Sequence, residues 1–427
     1  MKYGLIGEHL PHSFSKEIHA KIAPYEYELH EIARENLNQF MKKRDFVAIN
    51  VTIPYKEAVI PYLTAMDDYA KKIGAVNTIV NRDGKLFGYN TDFIGMQMLI
   101  EKIGISLKSK KVLILGTGGT AKTAKAVAQA LLAKNIIVVG RSAKEGVITY
   151  ETAYTDHADA EVIINTTPCG MYPNPDGNDT MPAVAIDMSR FPLLDGVIDA
   201  VYNPLRPNFV MNALERNIPA EGGLYMLVAQ AIAAAEFFMD KKLDFSVTKN
   251  IFNEIRAQKE NIVLTGMPGS GKTTVGKKLA TALNRPFYDT DEEIIKKTGK
   301  QISEIFAEAG NDGFRKIETE VIKALCAHTV GAVIATGGGA ILKDENVRVL
   351  KRNGRLYFLN RPLEHIVPTA DRPLSLDRAA LEARFAERYD RYLATANVEI
   401  KTDEIMTHTI NAIKEDFLGE NTCNQRS

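Results

Sequence analysis

The chain has 427 residues, of which 45% are hydrophobic and 25% are charged, a composition typical of globular proteins and unlike that of disordered or membrane proteins. Lysine plus arginine and aspartate plus glutamate both number 53, so the net charge is zero and no whole-chain field favours a nucleic acid or an anionic membrane. The length exceeds that of one ordinary core and predicts two or three domains.

The opening segment and the cysteines predict a cytoplasmic protein. MKYGLIGEHL continues directly into a strand-like pattern, with no basic region followed by a long apolar stretch. Cys169, Cys326 and Cys423 are odd in number and far apart, which favours reduced thiols and forms no C-x-x-C metal pair. We therefore expect neither an export signal nor a membrane partner, and the sequence leaves the oligomeric state open.

Short apolar runs alternate with amphipathic stretches along most of the chain. In chain order the runs are KVLILG, NIIVVG, EVIINTT, GVIDAVY, NIVLTG and AVIATGGG. This rhythm is typical of βαβ units, in which helices cover a parallel sheet, and it predicts an α/β fold. Glycine-rich turns near Gly116 and Gly266 each begin their own series of such units and predict two nucleotide sites.

The first glycine-rich turn has the spacing of a dinucleotide-binding loop. Its strand covers residues 111–115, and G-x-G-x-x-G/A follows at Gly116, Gly118, Gly119 and Ala121. The glycines allow close approach of the backbone, and the helix amino terminus offers free N–H groups to a pyrophosphate. The same pattern also occurs in turns that bind nothing, so its context matters.

The end of the next strand indicates which dinucleotide is bound. NAD enzymes usually carry an acid there for the ribose 2′-hydroxyl, whereas NIIVVG is followed by Arg141 and Ser142. A cation and a hydroxyl suit a 2′-phosphate and favour NADP. The alternative is a solvated arginine at a strand end.

Segments on both sides of this turn resemble the shikimate dehydrogenase family. They are PHSFSKE, AINVTIPYKEAV, GAVNTIV, GYNTDFIG, INTTPCGMYP, DAVYNPLRPNF and GGLYMLVAQA, in family order over residues 1–250. The resemblance implies that Lys56 and Asp92 are the catalytic pair that reduces 3-dehydroshikimate to shikimate. An ammonium can polarise the ketone and deliver a proton, and the carboxylate holds the amine in place. The alternative is that both are surface charges.

The resemblance also implies the residues that bind the substrate and the nicotinamide. A polyhydroxylated acid needs several oriented donors and acceptors. The implied set is Ser13 and Ser15 for the carboxylate, Thr52, Asn77 and Gln230 for the ring hydroxyls, Tyr202 for a further substrate contact, and Asn165 and Thr166 for the nicotinamide ribose. The segment SFSK departs from the commoner S-K-S-P form, but it keeps both hydroxyls.

The second glycine-rich turn, GMPGSGKT, matches G-x-x-x-x-G-K-[ST] between a strand and a helix and predicts an ATP site. In such a loop the backbone N–H groups surround the phosphates, the lysine reaches the β- and γ-phosphates, and the hydroxyl lies on Mg²⁺. The residues concerned are Gly266, Gly269, Ser270, Gly271, Lys272, Thr273 and Thr274.

The motifs after this loop resemble shikimate kinase. They are PFYDTDEEI, NDGFRKIE, IATGGGAIL, DRPLS and AERYDRY, in family order over residues 260–405. The resemblance implies that Arg315 and Arg388 bind the carboxylate of shikimate, which a planar guanidinium suits. Gly337, Gly338 and Gly339 would let the backbone approach the ring without a Cβ between them.

Around the reacting hydroxyl, the resemblance implies an acid–base group and several charges. Asp291 would accept the 3-hydroxyl proton, and Asp289 would help to hold Mg²⁺. Lys272 and Arg372 would neutralise the transferred phosphoryl group, although Arg372 could instead be solvated. Pro368 stands where many relatives have an adenine-stacking arginine, which predicts altered adenine contacts.

These patterns predict two enzymes in one chain, with NADP, ATP and Mg²⁺ as cofactors and small molecules as partners. The predicted domains are a shikimate-binding domain at 1–100 completed by helices at about 224–250, a Rossmann-like NADP domain at 101–223, a linker at 251–260 and a P-loop kinase domain with a parallel sheet at 261–418. One alternative makes one half a nucleotide-binding regulatory module. Another replaces shikimate by quinate and NADP by NAD, against which Arg141 argues.

Overall fold

The computed structural model describes residues 1–10, 13–172, 184–366, 378–403 and 405–419. The chain divides into two compact units, Met1–Phe252 and Asn253–Ser427. Among the described residues, every helix is too short or too polar to cross a membrane.

The first unit begins with a mixed sheet whose strand order is β2-β1-β3-β5-β6-β4. Its strands are β1 Tyr3–Gly7, β2 Tyr27–Glu31, β3 Ala48–Val51, β4 Ala65–Met66, β5 Thr78–Arg82 and β6 Lys85–Tyr89. β1 pairs in parallel with β2 and β3, whereas β3, β5 and β6 form antiparallel ladders. The β5–β6 turn is Asp83-Gly84, with φ of 51° and 78°, as a two-residue hairpin with the right twist requires.

A second sheet in this unit is parallel throughout, in the order β12-β11-β10-β7-β8-β9. Its strands are β7 Lys111–Leu115, β8 Asn135–Gly140, β9 Val147–Thr149, β10 Val162–Asn165, β11 Gly196–Asp199 and β12 Ala220–Glu221. Four of them, β7, β8, β10 and β11, coincide with the apolar runs KVLILG, NIIVVG, EVIINTT and GVIDAVY. The chain leaves β8 and returns as β10 on the other side of β7, so the carboxyl end of β7 is the switch point at which such sheets bind ligands.

Helices cover both sheets of the first unit. They are α1 Ser15–Ile22, α2 Leu37–Lys43, α3 Asp68–Ile73, α4 Thr91–Ile103, α5 Gly119–Ala130, α6 Tyr150–Asp156, α7 Asn208–Glu215 and α8 Leu224–Met239. A further helix, α9 Phe245–Lys259, begins in the first unit and ends in the second. α4 and α8 touch at Gly95, where an added Cβ would lie 2.6 Å from the carbonyl oxygen of Met226. Most of the predicted linker, residues 251–259, is helical because it lies in α9.

The second unit is built on a parallel sheet in the order β14-β15-β13-β16-β17. Its strands are β13 Asn261–Thr265, β14 Phe287–Asp289, β15 Val333–Ala335, β16 Gly354–Asn360 and β17 Val398–Lys401. Its helices are α10 Lys272–Leu283, α11 Thr290–Thr298, α12 Ile302–His328, α13 Asp344–Asn353, α14 Arg378–Thr395 and α15 Met406–Leu418. α12 breaks at Gly310, whose φ of 66° and ψ of −174° are not helical.

The strand order of the second unit gathers three predicted motifs at one edge of the sheet. The P-loop follows β13, Asp291 follows β14, and the triple glycine 337–339 follows β15. Because the strands are parallel, their carboxyl ends face the same side, where α/β sheets place their ligands.

Candidate active sites

In the first unit, Lys56 and Asp92 form an ion pair. Nζ lies 2.6 Å from Oδ2, and the side chains are 18% and 12% exposed. Lys56 follows β3, and its carbonyl accepts a hydrogen bond from the Val76 N–H at 2.8 Å. Asp92 lies in the first turn of α4, which Asn90 caps by accepting from the Phe93 N–H at 3.3 Å. An acid is favoured in that turn by the helix dipole, so the fold positions both partners.

A buried hydrogen-bond network lies behind this pair. Asn77 accepts from the Thr91 N–H at 2.7 Å and donates to the Thr91 hydroxyl at 3.0 Å. Asn50 donates to the Thr78 hydroxyl at 3.0 Å and accepts from the Tyr27 hydroxyl at 2.7 Å. Because Thr91 begins α4, the network also fixes the segment that carries the carboxylate. The sequence predicts only Asn77 among its members.

His19 adjoins this network and is absent from the sequence predictions. Its ring stacks on Tyr27 with 3.9 Å between centroids, and Nδ1 lies 2.7 Å from the Tyr25 hydroxyl. Burial lowers the pKa of His19 to about 3, so the imidazole is neutral at neutral pH. Like Ile18, His19 lies on the buried face of α1.

The two serines predicted to bind the substrate carboxylate lie around the start of α1. Ser15 is buried, and its N–H donates to the Ser13 hydroxyl at 3.2 Å. Phe14 between them packs edge-on against Tyr202, with 5.2 Å between ring centroids. The structure thus places Tyr202, a further predicted substrate residue, against the residue that separates the two serines.

Thr52 lies on the chain segment that leads to Lys56, and Gln230 packs on the helix that carries Asp92. Thr52 is four residues before Lys56, and its methyl group lies 2.7 Å from where a Cβ on Gly7 would be. Gln230 is buried in α8, and its Cβ lies 3.0 Å from where a Cβ on Gly95 would be. Gly95 is one turn beyond Asp92, so Gln230 packs on the helix that carries the carboxylate.

The first glycine-rich turn has room for a pyrophosphate. Gly116 has a φ of 109°, which favours glycine, and an added Cβ there would lie 2.8 Å from the Thr166 hydroxyl. At Gly118 an added Cβ would meet nothing within 4 Å, and at Gly119 it would meet only Lys56 Cδ, at 3.9 Å. The open amino terminus of α5, which also carries the buried Ala121, therefore fits an anion beside the ion pair.

Arg141 and Ser142 are exposed directly after β8. Their segment borders the glycine-rich turn, because a Cβ on Gly140 would lie 3.2 Å from the Thr117 methyl group. A cation and a hydroxyl therefore stand next to the predicted pyrophosphate site.

Asn165 ends β10 and Thr166 follows it, and the side chains of both residues form hydrogen bonds with other groups of the protein. Asn165 is buried and donates to Asp199 Oδ1 at 2.9 Å, and the Thr166 hydroxyl donates to the Leu115 carbonyl at 2.6 Å. Asp199, absent from the sequence predictions, is fully buried, and burial raises its pKa to about 7. These contacts fix the edge of the sheet beside the glycine-rich turn.

In the second unit, the P-loop wraps a cavity of 740 Å³. The φ angles of Gly266, Gly269 and Gly271 are 144°, 86° and 93°, values that favour glycine. Lys272 is buried and donates to the carbonyls of Gly266 and Met267 at 2.8 and 2.9 Å. Ser270, also buried, lies inside the loop, and Thr274 lines the cavity.

Thr273 and Asp289 bring two oxygens together at the edge of this cavity. The Thr273 hydroxyl donates to Asp289 Oδ2 at 2.7 Å. A hydroxyl and a carboxylate are the hard oxygen ligands that Mg²⁺ prefers. The pair fits the predicted magnesium site, and among the described residues no group of three or more His, Cys, Asp or Glu forms another metal site.

Asp291 faces the same cavity from the first turn of α11. Burial, with Asp289 and Glu318 as negative neighbours, raises the pKa of Asp291 to about 6. The Gly337 N–H donates to the Thr290 hydroxyl at 2.9 Å, and an added Cβ at Gly337 would lie 2.7 Å from Asp291 Oδ1. The missing side chain at Gly337 therefore leaves the carboxylate accessible.

Two buried arginines line the cavity opposite the P-loop. Arg315 pairs with Glu318 at 2.6 Å, and Arg388 donates to the Gly338 carbonyl at 3.3 Å. A Cβ on Gly339 would collide with the Arg315 guanidinium. Glu318 is absent from the sequence predictions, although its spacing of three residues from Arg315 on a helix is typical of ion pairs.

Tyr392, Arg384 and Arg361 also belong to this site and are absent from the sequence predictions. The Tyr392 hydroxyl lies within hydrogen-bond distance of the carbonyls of Gly266 and Gly338, joining the P-loop to the triple glycine. Arg384 lies one helical turn before Arg388 and lines the cavity, as does Arg361. The predicted Arg372 and the altered position Pro368 lie outside the described residues.

Comparisons with known proteins identify both units. The shikimate dehydrogenase (NADP(+)) of Clostridium perfringens strain SM101 is 35% identical over 274 residues, which cover 60% of this chain and 98% of that protein. A family model for the shikimate dehydrogenase substrate binding domain matches residues 5–79. The chain belongs to the shikimate dehydrogenase family. The shikimate kinase family model matches residues 268–416, so the chain joins two enzymes, as the motifs predict.

Solved structures of shikimate dehydrogenases share the fold of the first unit. A chorismate mutase/shikimate 5-dehydrogenase fusion protein from Clostridium acetobutylicum is 34% identical, with a TM-score of 0.54 over 59% of this chain and 96% of that one. A Thermus thermophilus shikimate 5-dehydrogenase, solved with NADP(H) and shikimate, is 28% identical, with a TM-score of 0.51 over 60% and 99%. The predicted α/β fold with an NADP-binding Rossmann-like domain is confirmed.

Proposed function

We propose that the first unit reduces 3-dehydroshikimate to shikimate with NADPH and that the second phosphorylates the shikimate 3-hydroxyl with ATP. The observation that carries this proposal is that each unit holds its own acid–base group beside a glycine-rich nucleotide-binding loop. Lys56 and Asp92 lie beside the first glycine-rich turn, and Asp291 lines the same cavity as the P-loop. A merely regulatory half would not need such a group. The two reactions are consecutive because the product of the first is the acceptor of the second.

In the dehydrogenase, the protein handles the proton. The Lys56 ammonium donates a hydrogen bond to the substrate ketone and gives it a proton as the hydroxyl forms, while Asp92 orients the ammonium. NADPH, when bound at the glycine-rich turn, supplies the hydride. The two serines around Phe14 hold the substrate carboxylate, and Asn77, which the buried network fixes, binds a ring hydroxyl.

In the kinase, Asp291 accepts the proton of the 3-hydroxyl, and Arg315 and Arg388 hold the carboxylate of shikimate. Glu318 orients the guanidinium of Arg315 through an ion pair in which Arg315 Nη1 lies 2.6 Å from Glu318 Oε2. The glycine at 337 leaves room for the ring beside Asp291.

Charge neutralisation is the second task of the kinase residues. When ATP binds, the Lys272 ammonium would donate to phosphate oxygens in place of the carbonyls of Gly266 and Met267. Arg372 would add a second positive charge near the transferred phosphoryl group. Thr273 and Asp289 would hold Mg²⁺, directly or through water. Bound ATP supplies the phosphoryl group, and the metal offsets its negative charge.

A coupled assay tests the whole proposal. The chain supplied with 3-dehydroshikimate, NADPH, ATP and Mg²⁺ should yield NADP⁺, ADP and shikimate 3-phosphate. Omission of ATP should stop the sequence at shikimate, and omission of NADPH should stop it before any ADP forms. If NADP⁺ forms without ADP and shikimate 3-phosphate, the second unit lacks the proposed activity. If no NADP⁺ forms, the first unit lacks it.

Replacement of Arg141 by alanine should lower the preference for NADPH over NADH about tenfold or more, the effect of one hydrogen bond to a charged group. The physical reason is that the exposed guanidinium stands beside the glycine-rich turn, where a 2′-phosphate would lie. The ratio of kcat/KM values for the two cofactors measures it, and Lys108→Ala, which removes an exposed cation elsewhere, is the control. An unchanged ratio would reject this role and reopen the NAD alternative.

The kinase should lose activity below a pH of about 6. A carboxylate accepts a proton only when it is ionised, and burial with two acidic neighbours raises the pKa of Asp291 to about 6. The kcat/KM for shikimate, which reports the free enzyme, should be level above that pH and fall about tenfold per pH unit below it. Circular dichroism at each pH checks that the fold persists, and a level profile through the acid range would count against Asp291 as the base.

We further propose domain limits of 1–100 with the helices at 224–250, 101–223 and 261–418, joined through residues 251–260. The two six-stranded sheets and the five-stranded sheet support this division. A cytoplasmic location fits the two nucleotide cofactors and is part of the same proposal.

A further inference from the structure

Arg361 lies on the nucleotide side of the kinase cavity. It directly follows β16, and the sheet order β14-β15-β13-β16-β17 places the P-loop strand β13 between β16 and β15. Asp291 and the triple glycine follow β14 and β15, on the other side of the P-loop. The sheet therefore separates Arg361 from the acceptor pocket by the width of the P-loop.

The Arg361 guanidinium reaches the P-loop itself. Its Nη1 lies 3.8 Å from the position of a Cβ on Gly271, and both residues line the 740 Å³ cavity. The end of β16 also packs against the loop, since a Cβ on Gly266 would lie 2.8 Å from the carbonyl oxygen of Leu359. A cation is thus placed at the outer edge of a loop whose backbone N–H groups are arranged for phosphates.

The Arg361 guanidinium differs from two other arginines of this unit in its remaining contacts. Its Nε–H is buried and has no hydrogen-bond partner in the part of the chain that the structure describes, as is also true of the Nε–H groups of Arg355 and Arg388. Arg355, six residues earlier at the other end of β16, nevertheless pairs with Asp416 at 2.9 Å, and Arg388 donates to the Gly338 carbonyl at 3.3 Å. Among the described residues, Arg361 has neither an ion pair nor a hydrogen bond of this kind. A buried guanidinium N–H without a partner is costly, and a bound anion would relieve that cost.

We propose that Arg361 binds the α- and β-phosphates of the nucleotide, which rests on the proposed kinase function. The γ-phosphate must point towards Asp291 to meet the acceptor hydroxyl, so the phosphates on the β16 side are the α and β groups. A planar guanidinium can hold two phosphate oxygens at once. Because ATP and ADP share these groups, Arg361 contributes affinity for both nucleotides and none for shikimate.

Calorimetry on the full chain tests this assignment. Arg361→Gln should weaken binding of both ATP and ADP by about ten- to hundredfold, the range for a hydrogen bond to a charged group, and leave the KM for shikimate unchanged. Arg361→Met, which keeps the apolar stem, should show the same loss, whereas Arg361→Lys should retain part of the affinity. Lys278→Ala removes an exposed cation from α10 and should bind both nucleotides normally.

Inorganic tripolyphosphate, measured by competition with ATP, separates a phosphate contact from stacking on the base. The Arg361→Gln loss should appear with this probe as well, since the probe has phosphates and no base. Unchanged ATP and ADP affinities, or a loss confined to the nucleotides, would overturn the proposal. A wild-type chain that binds ATP but does not phosphorylate shikimate would instead reject the proposed function and leave the phosphate contact standing.

Discussion

Replacement of Lys56 by alanine should slow the turnover of 3-dehydroshikimate by about 10²- to 10⁴-fold, the usual contribution of a positioned acid or base. The ammonium is held 2.6 Å from Asp92, and Lys56 Cδ lies 3.9 Å from where a Cβ on Gly119 would be. Lys56 therefore stands between its carboxylate partner and the dinucleotide turn. Alanine leaves the ketone without a proton donor, and ionised Asp92 cannot replace it because a carboxylate only accepts hydrogen bonds.

Steady-state oxidation of NADPH at saturating substrate measures this loss. The kinase reaction of the same preparation should be unchanged, which checks the amount of chain in the assay, and circular dichroism checks that the variant is folded. Lys71→Ala removes a 59% exposed ammonium from α3 and should leave both reactions at wild-type rates. Near-normal reduction by the Lys56 variant would reject its role as the acid.

Lys272→Ala and Asp291→Asn should each remove most of the kinase activity, by about 10²- to 10⁴-fold, but for separable reasons. Lys272 lies within the P-loop and would contact the migrating phosphoryl group. Asp291 faces the acceptor side of the cavity, beside Gly337. The lysine variant should therefore lose ATP affinity as well as turnover, whereas the aspartate variant should bind ATP nearly normally.

Calorimetric titration with ATP, combined with the shikimate-dependent release of ADP, distinguishes the two effects. Glu293→Gln neutralises another acid on α11, one that pairs only loosely with Lys296 at 3.8 Å, and should change neither quantity. A large loss of ATP affinity in the Asp291 variant would contradict its assignment to the acceptor hydroxyl. Dehydrogenase activity in both variants serves as the internal control.

Local sequence determined the parts of this protein that depend on backbone geometry. The glycines at 116 and 266 adopt φ angles of 109° and 144°, which other residues rarely reach, so glycines spaced in this way between a strand and a helix predict the two turns. The apolar runs before them became β7 and β13, because buried parallel strands need continuous hydrophobic residues. The α/β fold, which is confirmed, was predictable for this reason. The joining of two enzymes, also confirmed, was predicted from the resemblance of the motifs to two families.

Only the tertiary structure shows which residues hold Lys56 and Asp92 in place. Lys56 and Asp92 are 36 positions apart, and the resemblance to a family, not any spacing, predicts that they act together. Asn50 and Thr78 meet because β3 and β5 pair in antiparallel register. No local sequence pattern predicts such a contact. The same is true of His19, whose stacking on Tyr27 requires α1 to pack over the first sheet.

The electrostatics of the kinase cavity were likewise decided by packing. In the sequence Arg361 is one arginine at the end of a strand, and only the order of β15, β13 and β16 makes it a neighbour of the P-loop. The raised pKa of Asp291 depends on burial and on Glu318, which α12 contributes from 27 residues further along the chain. Sequence patterns report backbone preferences over a few residues, whereas hydrogen bonds and burial depend on distances of a few ångströms between segments that only the fold brings together.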